Sequence, residues 1–354
     1  MNIQERIKAF VELGSFLEQF TDGKQEPASH RLNDQYHQEF TELLARVSSE
    51  NLWFTPEHVQ ASIKGICFFL RESNINKWLK SYKLSDKSTN TKVAVIMAGN
   101  IPMVGFHDML SVLMAGHTFI GKLSTKDNKL LDFIAKLLIS LQPEFEKLIR
   151  FEVGQLNASN GFDAIIATGS NNSARYFDAY FSKYPNIIRR NRNSVALISG
   201  NESEKEIKAL GNDIFLYFGL GCRNVSKLYI PENYDITQLF KHWEVYQSVI
   251  DHSKYANNYD YQRSLLLMNK IHHFDNGFLL LQENSAIASP VGVVYYEYYS
   301  ELQDIKQKLK TDSELIQCVV ASDFESAIPF GKAQEPQLWD YADNVDTMQF
   351  LTRL

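Results

Sequence analysis

The sequence predicts an α/β protein of two domains, with a parallel sheet covered by helices on both faces. Short apolar runs rich in valine and isoleucine alternate with amphipathic helical stretches, the pattern of a sheet buried on both sides. Glycine, asparagine or serine closes most of these runs, and such residues let a chain turn sharply into the next element. The 354 residues exceed what one core usually fills, so a second domain is expected.

Taken in order, residues 1 to about 90 read as helices. Ile7, Phe10, Val11, Leu13, Phe16 and Leu17 recur at helical spacing, as do Ile63, Ile66, Phe69 and Leu70. A polar connection from Asp86 to Thr91 leads to a strand over Lys92 to Ala98. Gly99-Asn100 breaks that strand, and Pro102 is placed to open a helix reaching Ala115. A second strand, Thr118 to Gly121, runs into Lys122-Leu123-Ser124, and an amphipathic helix covers roughly Asp127 to Leu141. Ile149 to Val153 and Ala164 to Ala167 are further strands, the latter ending in Thr168-Gly169-Ser170. Val195 to Ser199 is a strand, Gly200 to Glu206 a loop, and Ile207 to Phe218 a helix. Beyond it come a strand over Val225 to Ile230 and helices over Thr237 to Ile250, Asp260 to Met268 and Glu301 to Lys310. Phe278 to Gln282, Gly292 to Tyr296 and Gln317 to Ala321 complete the strands.

Composition excludes several function classes. A net charge of -6 provides no basic field for nucleic acid or an acidic membrane. Three cysteines, Cys67, Cys222 and Cys318, are too few for a disulfide scaffold and fit a reducing compartment. The charged opening, Met1 to Lys8, has no signal-peptide block. No apolar run approaches the roughly 20 residues of a membrane helix. A cytoplasmic protein is expected, with no membrane span and no nucleic-acid partner. His272-His273 lack helical metal-ligand spacing and no Cys-x-x-Cys occurs, so no metal is expected.

The chemistry points to Cys222, in Phe218-Gly219-Leu220-Gly221-Cys222-Arg223-Asn224. A free cysteine is either a small buried hydrophobe or a nucleophile. The glycines before this one let a substrate carbonyl approach, and the strand after it would hold the thiol rigidly. In such sheets ligands bind beyond the carboxyl ends of strands, where Gly99-Asn100, Lys122-Leu123-Ser124 and Thr168-Gly169-Ser170 all fall.

Read in order, four segments resemble the aldehyde dehydrogenase superfamily. They are Gly99-Asn100-Ile101-Pro102-Met103, Ala115-Gly116-His117-Thr118-Phe119-Ile120-Gly121-Lys122-Leu123-Ser124, Ile166-Ala167-Thr168-Gly169-Ser170 and Gly219-Leu220-Gly221-Cys222. Ser289-Pro290-Val291-Gly292-Val293-Val294-Tyr295-Tyr296, Ile328-Pro329-Phe330-Gly331-Lys332-Ala333 and Leu338-Trp339-Asp340 are similar to its acyl-CoA reductase branch, which includes the fatty acid reductase subunit of bacterial luminescence. The resemblance covers roughly residues 90 to 354. It implies an aldehyde-dehydrogenase-like fold, with which the helical N-terminus is compatible. The helical N-terminus and a Rossmann-type NAD(P)-binding domain would span 1–192, a smaller α/β catalytic domain 193–330 and a C-terminal tail 331–354.

It also implies the reaction: reduction of a coenzyme A thioester to an aldehyde by NADPH or NADH. Cys222 would form an acyl-enzyme, with an oxyanion hole supplied by the Asn100 side chain and the backbone N–H of Cys222. Lys122 and Ser124 would hold the adenosine ribose, while Gly169 and Ser170 would bring backbone N–H groups to the cofactor phosphates. Self-association of the family points to a homodimer, for which a strand-rich catalytic domain offers a sheet edge. Hydrolytic members carry a water-activating glutamate where this chain has Ile187-Ile188-Arg189-Arg190-Asn191-Arg192-Asn193, without a carboxylate. A thioester not attacked by water survives to meet hydride. Two alternatives stay open: an acyltransferase using the same cysteine without hydride, and a catalytically silent binding subunit on this fold. Arg189-Arg190-Arg192 is either a phosphate site or a solvated charge run. His117 is either near the cofactor or structural.

Overall fold

The computed structural model describes residues 1–21, 29–154, 156 and 160–354. The chain divides into two compact units, one made of Met1–Arg190 with Gln337–Leu354, the other of Asn191–Pro336.

The first unit begins with four helices: α1 (Ile3–Leu17), α2 (Gln38–Glu50), α3 (Pro56–Phe69) and α4 (Glu72–Leu79). Asn2 starts α1 through a reciprocal cap with Glu5, and Thr55 caps α3 ahead of Pro56. There follow β1 (Lys92–Ile96), α5 (Phe106–Met114), β2 (Thr118–Lys122), α6 (Leu130–Leu141), β3 (Ile149–Phe151), β4 (Ala164–Thr168), α7 (Asn171–Phe181) and β5 (Asn186–Arg189). All five strands are parallel, in the order β3-β2-β1-β4-β5. The chain thus winds outward from β1 through β2 and β3, then returns to the other side of β1. The order reverses between β1 and β4, the switch point beyond whose carboxyl ends open sheets of this kind bind ligands.

Strand alternation sorts the core. Val93, Val95, Phe119 and Ile166 pack with α1, α5 and α6, while Ala94, Ile120, Ile165 and Ala167 pack with Phe181 of α7. The segment Gln337–Leu354, including the short helix Thr347–Leu351, contributes Leu338, Tyr341, Met348 and Leu351 to the first of these clusters. Trp78 Nε1 donates to the Tyr341 hydroxyl at 2.6 Å, and the Tyr82 hydroxyl meets that of Tyr341 at 2.8 Å and donates to Asp346 at 2.9 Å.

The second unit contains β6 (Asn193–Leu197), α8 (Glu204–Phe215), β7 (Val225–Pro231), α9 (Gln238–Trp243), α10 (Ser253–Met268), β8 (His273–Asp275), β9 (Leu280–Glu283), β10 (Val293–Tyr299), α11 (Leu302–Thr311) and β11 (Ile316–Val320). Its sheet runs β11-β6-β7-β10-β9-β8, parallel except for β8 against β9. Ala196, Leu228, Ile230 and Val294 face α8 and α9; Val195, Leu197 and Tyr229 face α11.

Several boundaries differ from the sequence reading. The helix expected from Pro102 starts at Phe106, because Met103 takes a left-handed φ of 55° and holds the segment in a turn. The helix expected from Asp127 starts at Leu130, since the Asp127 carboxylate accepts the Met103 N–H at 2.6 Å instead. Ser203 and Glu206, read as loop, form a reciprocal cap that starts α8 at Glu204. β5 and β8 were not anticipated; both are short, Asn186-Ile187-Ile188-Arg189 and His273-Phe274-Asp275.

Arg189 differs most. Its guanidinium grips both carboxylate oxygens of Asp108 at 2.6 and 2.8 Å inside the core, and Nη2 also donates to Thr347 at 3.1 Å. Arg190 pairs with Asp178, and Arg192 donates to the Ser313 and Ile316 carbonyls. Arg189 is therefore buried and structural, while Arg190 is exposed and Arg192 half-exposed, each with its own partner. Removing one member of a buried pair strands the other charge and costs about 3–5 kcal/mol. Asp108→Ala is expected to lower unfolding free energy by that amount in urea titrations, and the double variant Asp108→Ala, Arg189→Met by clearly less.

Candidate active site

In the first unit, Lys122 is the last residue of β2, and Asn100, Ser124, Gly169 and Ser170 lie just beyond β1, β2 and β4, three adjacent strands. The loops are fitted closely. A Cβ on Gly99 would sit 2.6 Å from Ser124 Cβ, so only glycine lets the turn after β1 approach the loop after β2. The Met97 N–H donates to the Lys122 carbonyl at 3.1 Å, extending the pairing of β1 and β2 to the edge of the site. Asn100 is half-buried between Gly99 and the Met103 turn. The half-exposed Lys122 points its ammonium toward the Leu123 carbonyl at 3.4 Å.

Asp127 braces this turn from below. Its Oδ2 accepts the Met103 N–H, while Oδ1 is buried with no hydrogen-bond partner among the described residues. Burial pushes the carboxyl up to about 6, against the pull of that hydrogen bond. At the third strand end, the Ser170 side chain accepts the Ser173 N–H and caps α7. A Cβ on Gly169 would lie 2.8 Å from Ser173 Cβ, so this glycine allows close packing of α7 on its strand.

In the second unit, Cys222 sits three residues ahead of β7, at the amino end of a strand bonded on both sides. α8 ends at Phe215, and Tyr217, Phe218 and Gly219 then adopt φ of 56°, 54° and 76° in succession. For the two non-glycine residues the left-handed conformation costs roughly 1–2 kcal/mol each. Phe218 is held there by stacking on His252 at 4.4 Å. Strain kept at one spot by surrounding packing is a mark of functional segments.

The cysteine occupies the second position of a hydrogen-bonded turn, in which the Asn224 N–H donates to the Gly221 carbonyl at 3.0 Å. Ser194 Oγ donates to the Cys222 carbonyl at 3.1 Å and lies 3.0 Å from Cys318 Sγ. The thiol residue itself is half-exposed. Arg223 donates through Nε to the Ala333 carbonyl. The Gly331 and Ala333 N–H groups donate to the Asp213 carboxylate at 2.6 and 2.9 Å. Burial pushes Asp213 up to about 7, although both N–H groups and Arg223 oppose the shift. Beside the loop is a cavity of about 20 Å³ whose walls include Phe218, Gly219, Val225, Pro290 and Val291.

Five of the sequence-predicted residues thus gather at one end of the first sheet, and the sixth, Cys222, is presented by the second unit. Asp127, Asp213 and Asn224 were not anticipated. A signal for Asp213 existed: it falls on the apolar stripe of α8 between Leu210 and Ile214, where a carboxylate must have buried donors. His117 is buried, with Nδ1 2.6 Å from Thr89 Oγ1 and Nε2 2.9 Å from the Leu351 carbonyl oxygen, a structural setting. Among the described residues no group of His, Cys, Asp and Glu has the arrangement to hold a metal ion, and no helix is long and apolar enough to cross a membrane.

The Asp127 shift carries a sign that can be measured. Its folded value, about 6, stands above the ordinary 3.8, so between those values the folded chain keeps a proton that the unfolded chain has released. Stability contributed by this group therefore falls as pH rises through that window and levels off above it. Asp127→Asn is expected to flatten that part of the profile in urea midpoints across the acid-to-neutral range.

Residues 15–242 match the acyl-CoA reductase (LuxC) family. The match includes most of the N-terminal helices, beyond the reach of the motifs quoted above. No curated protein matches the chain. Among solved structures, a putative aldehyde dehydrogenase from Burkholderia cenocepacia is similar with a TM-score of 0.67 and 13% identity, covering 92% of this chain and 74% of that one. Aldehyde dehydrogenase 21 from Physcomitrella patens, solved with succinate, gives 0.66 and 11%, covering 92% and 75%. A variant of aldehyde dehydrogenase C from Pseudomonas syringae, solved with NAD+ and octanal, gives 0.64 and 10%, covering 92% and 73%. The shared feature is the aldehyde dehydrogenase fold.

Proposed function

The chain belongs to the acyl-CoA reductase (LuxC) family, and we propose that it reduces a coenzyme A thioester to an aldehyde through an acyl-enzyme on Cys222. The observation that carries this reading is the half-exposed Cys222 on a hydrogen-bonded turn that follows a strained run, at the head of a central strand. A nucleophile needs both that access and that rigidity.

Cys222 sulfur attacks the thioester carbonyl carbon. The carbon–sulfur bond to coenzyme A breaks, and the thiol proton leaves with the coenzyme A sulfur. Asn100 donates from its side-chain amide to the oxyanion of that step, as does the Cys222 N–H. A nicotinamide dinucleotide, which Lys122, Ser124 and the head of α7 would hold, would supply the hydride for reduction of the enzyme thioester. The thiohemiacetal alkoxide so formed collapses: the carbon–sulfur bond to Cys222 breaks, the aldehyde leaves, and the Cys222 thiolate takes a proton from solvent.

The first unit fits such a cofactor. Its strand order reverses at β1 and β4, and Gly169 packs α7 so that its first-turn amides head the β4 loop. Lys122 and Ser124 hold the adenosine ribose. The Pseudomonas syringae relative, solved with NAD+, supports a nicotinamide. The stretch from Ile187 to Asn193 contains no carboxylate to activate water, which favours reduction over hydrolysis of the acyl-enzyme.

Intact mass after incubation with a panel of acyl-CoAs is expected to show one acyl adduct, removed by adding NADPH or NADH. Cys222→Ala is expected to abolish the adduct and reduce aldehyde formation by at least about 1,000-fold. Native-rate aldehyde formation by that variant would overturn the mechanism. Asn100→Ala is expected to lower kcat by about 100- to 1,000-fold while the adduct still forms slowly.

A further inference from the structure

We infer that Asn224 is the positioning residue of the nucleophile, a side chain that ties the end of α8 to the cysteine turn and so fixes the direction of the thiol. The inference rests on the reading of Cys222 as the acylated residue.

Asn224 is 1% exposed, and its amide is used from both ends. Nδ2 faces the carbonyls of Leu216 at 2.7 Å, Asp213 at 3.0 Å and Ile214 at 3.3 Å. These belong to the last turn of α8 and the residue just after it, where carbonyls lack intrahelical partners. Oδ1 accepts the Gly221 N–H at 2.8 Å. One side chain therefore spans the left-handed run Tyr217–Gly219, holding Leu216 at its start and Gly221 beyond its end.

Cys222 follows directly, with its own carbonyl held by Ser194 Oγ at 3.1 Å. The backbone is thereby fixed just before the thiol by Asn224 and just after it by Ser194. The task requires a neutral group that donates and accepts at once. Among residues of this length only asparagine does so; an ionised aspartate can only accept. Arg223, between Cys222 and Asn224, is turned to the Ala333 carbonyl.

The test uses the full chain with Asn224→Ala and Asn224→Asp, reading acyl-CoA turnover and the alkylation of Cys222 by iodoacetamide, resolved by peptide mass. Near-ultraviolet circular dichroism verifies folding. Displacing a reacting group by about 1 Å costs about 100-fold, so folded Asn224→Ala should acylate Cys222 about 100-fold more slowly with KM for acyl-CoA nearly unchanged. Its Cys222 alkylation should also slow, whereas a residue serving stability alone would shift the melting temperature and leave alkylation of the folded protein as it was. Asn224→Asp keeps the acceptor for Gly221 and regains one donor when protonated. Its acylation rate relative to wild type should rise as the pH is lowered.

Wild-type rates of acylation and alkylation in folded Asn224→Ala would overturn the inference. Should Asn224→Ala fail to fold, Asn224→Asp decides: a rate ratio independent of pH overturns it. Absence of an acyl adduct on wild-type Cys222 would instead overturn the proposed function, and the alkylation arm would still test Asn224.

Discussion

A parallel strand is stable only when both of its faces are covered, and much of the rest of this molecule follows from that constraint. Each central strand must present apolar side chains above and below, as Val93, Ala94 and Val95 do in β1. Interior strand positions are thus closed to polar chemistry, with few exceptions. The groups proposed to react and bind stand at the ends, where the chain turns: carboxyl ends in the first unit, the amino end of β7 in the second.

The turns at those ends need fastening, and buried polar side chains supply it. Asp127 holds the Met103 turn, Asp213 holds the Gly331–Ala333 segment, and Asn224 holds the run into Cys222. Each accepts a backbone N–H that no strand or helix can satisfy. A buried carboxylate is an expensive fastener, which is why Asp127 and Asp213 hold their protons so far above the usual carboxylate range. The neutral amide of Asn224 avoids that cost at the place nearest the thiol.

Much of this was legible in the sequence. β1 and β4 are mostly apolar runs, β2 is a shorter one and β7 alternates, and their order fits a two-sided parallel sheet. Asn100, Lys122, Gly169 and Cys222 were visible because they stand at those boundaries. Less legible was whatever depends on a partner far away in the chain. Arg189 looked like part of a basic cluster; only folding brings it to Asp108, 81 residues distant. β5 is too short to announce itself, and its pairing with β4 decides its state. Asn224 reads as an ordinary turn former next to a strand until the end of α8 is laid beside it. The Ser203–Glu206 cap was written in the sequence, yet the polar composition around it suggested a loop.

The path of the chain has a consequence for its birth on the ribosome. The first unit is left at Arg190 and resumed only at Gln337, so residues 191–336 are a complete insertion within it. During synthesis the inserted unit has all its sequence in hand while the earlier one still lacks Tyr341, the partner of both Trp78 and Tyr82. The portion made first is finished last, and until then an incomplete hydrophobic interior waits on its closing segment.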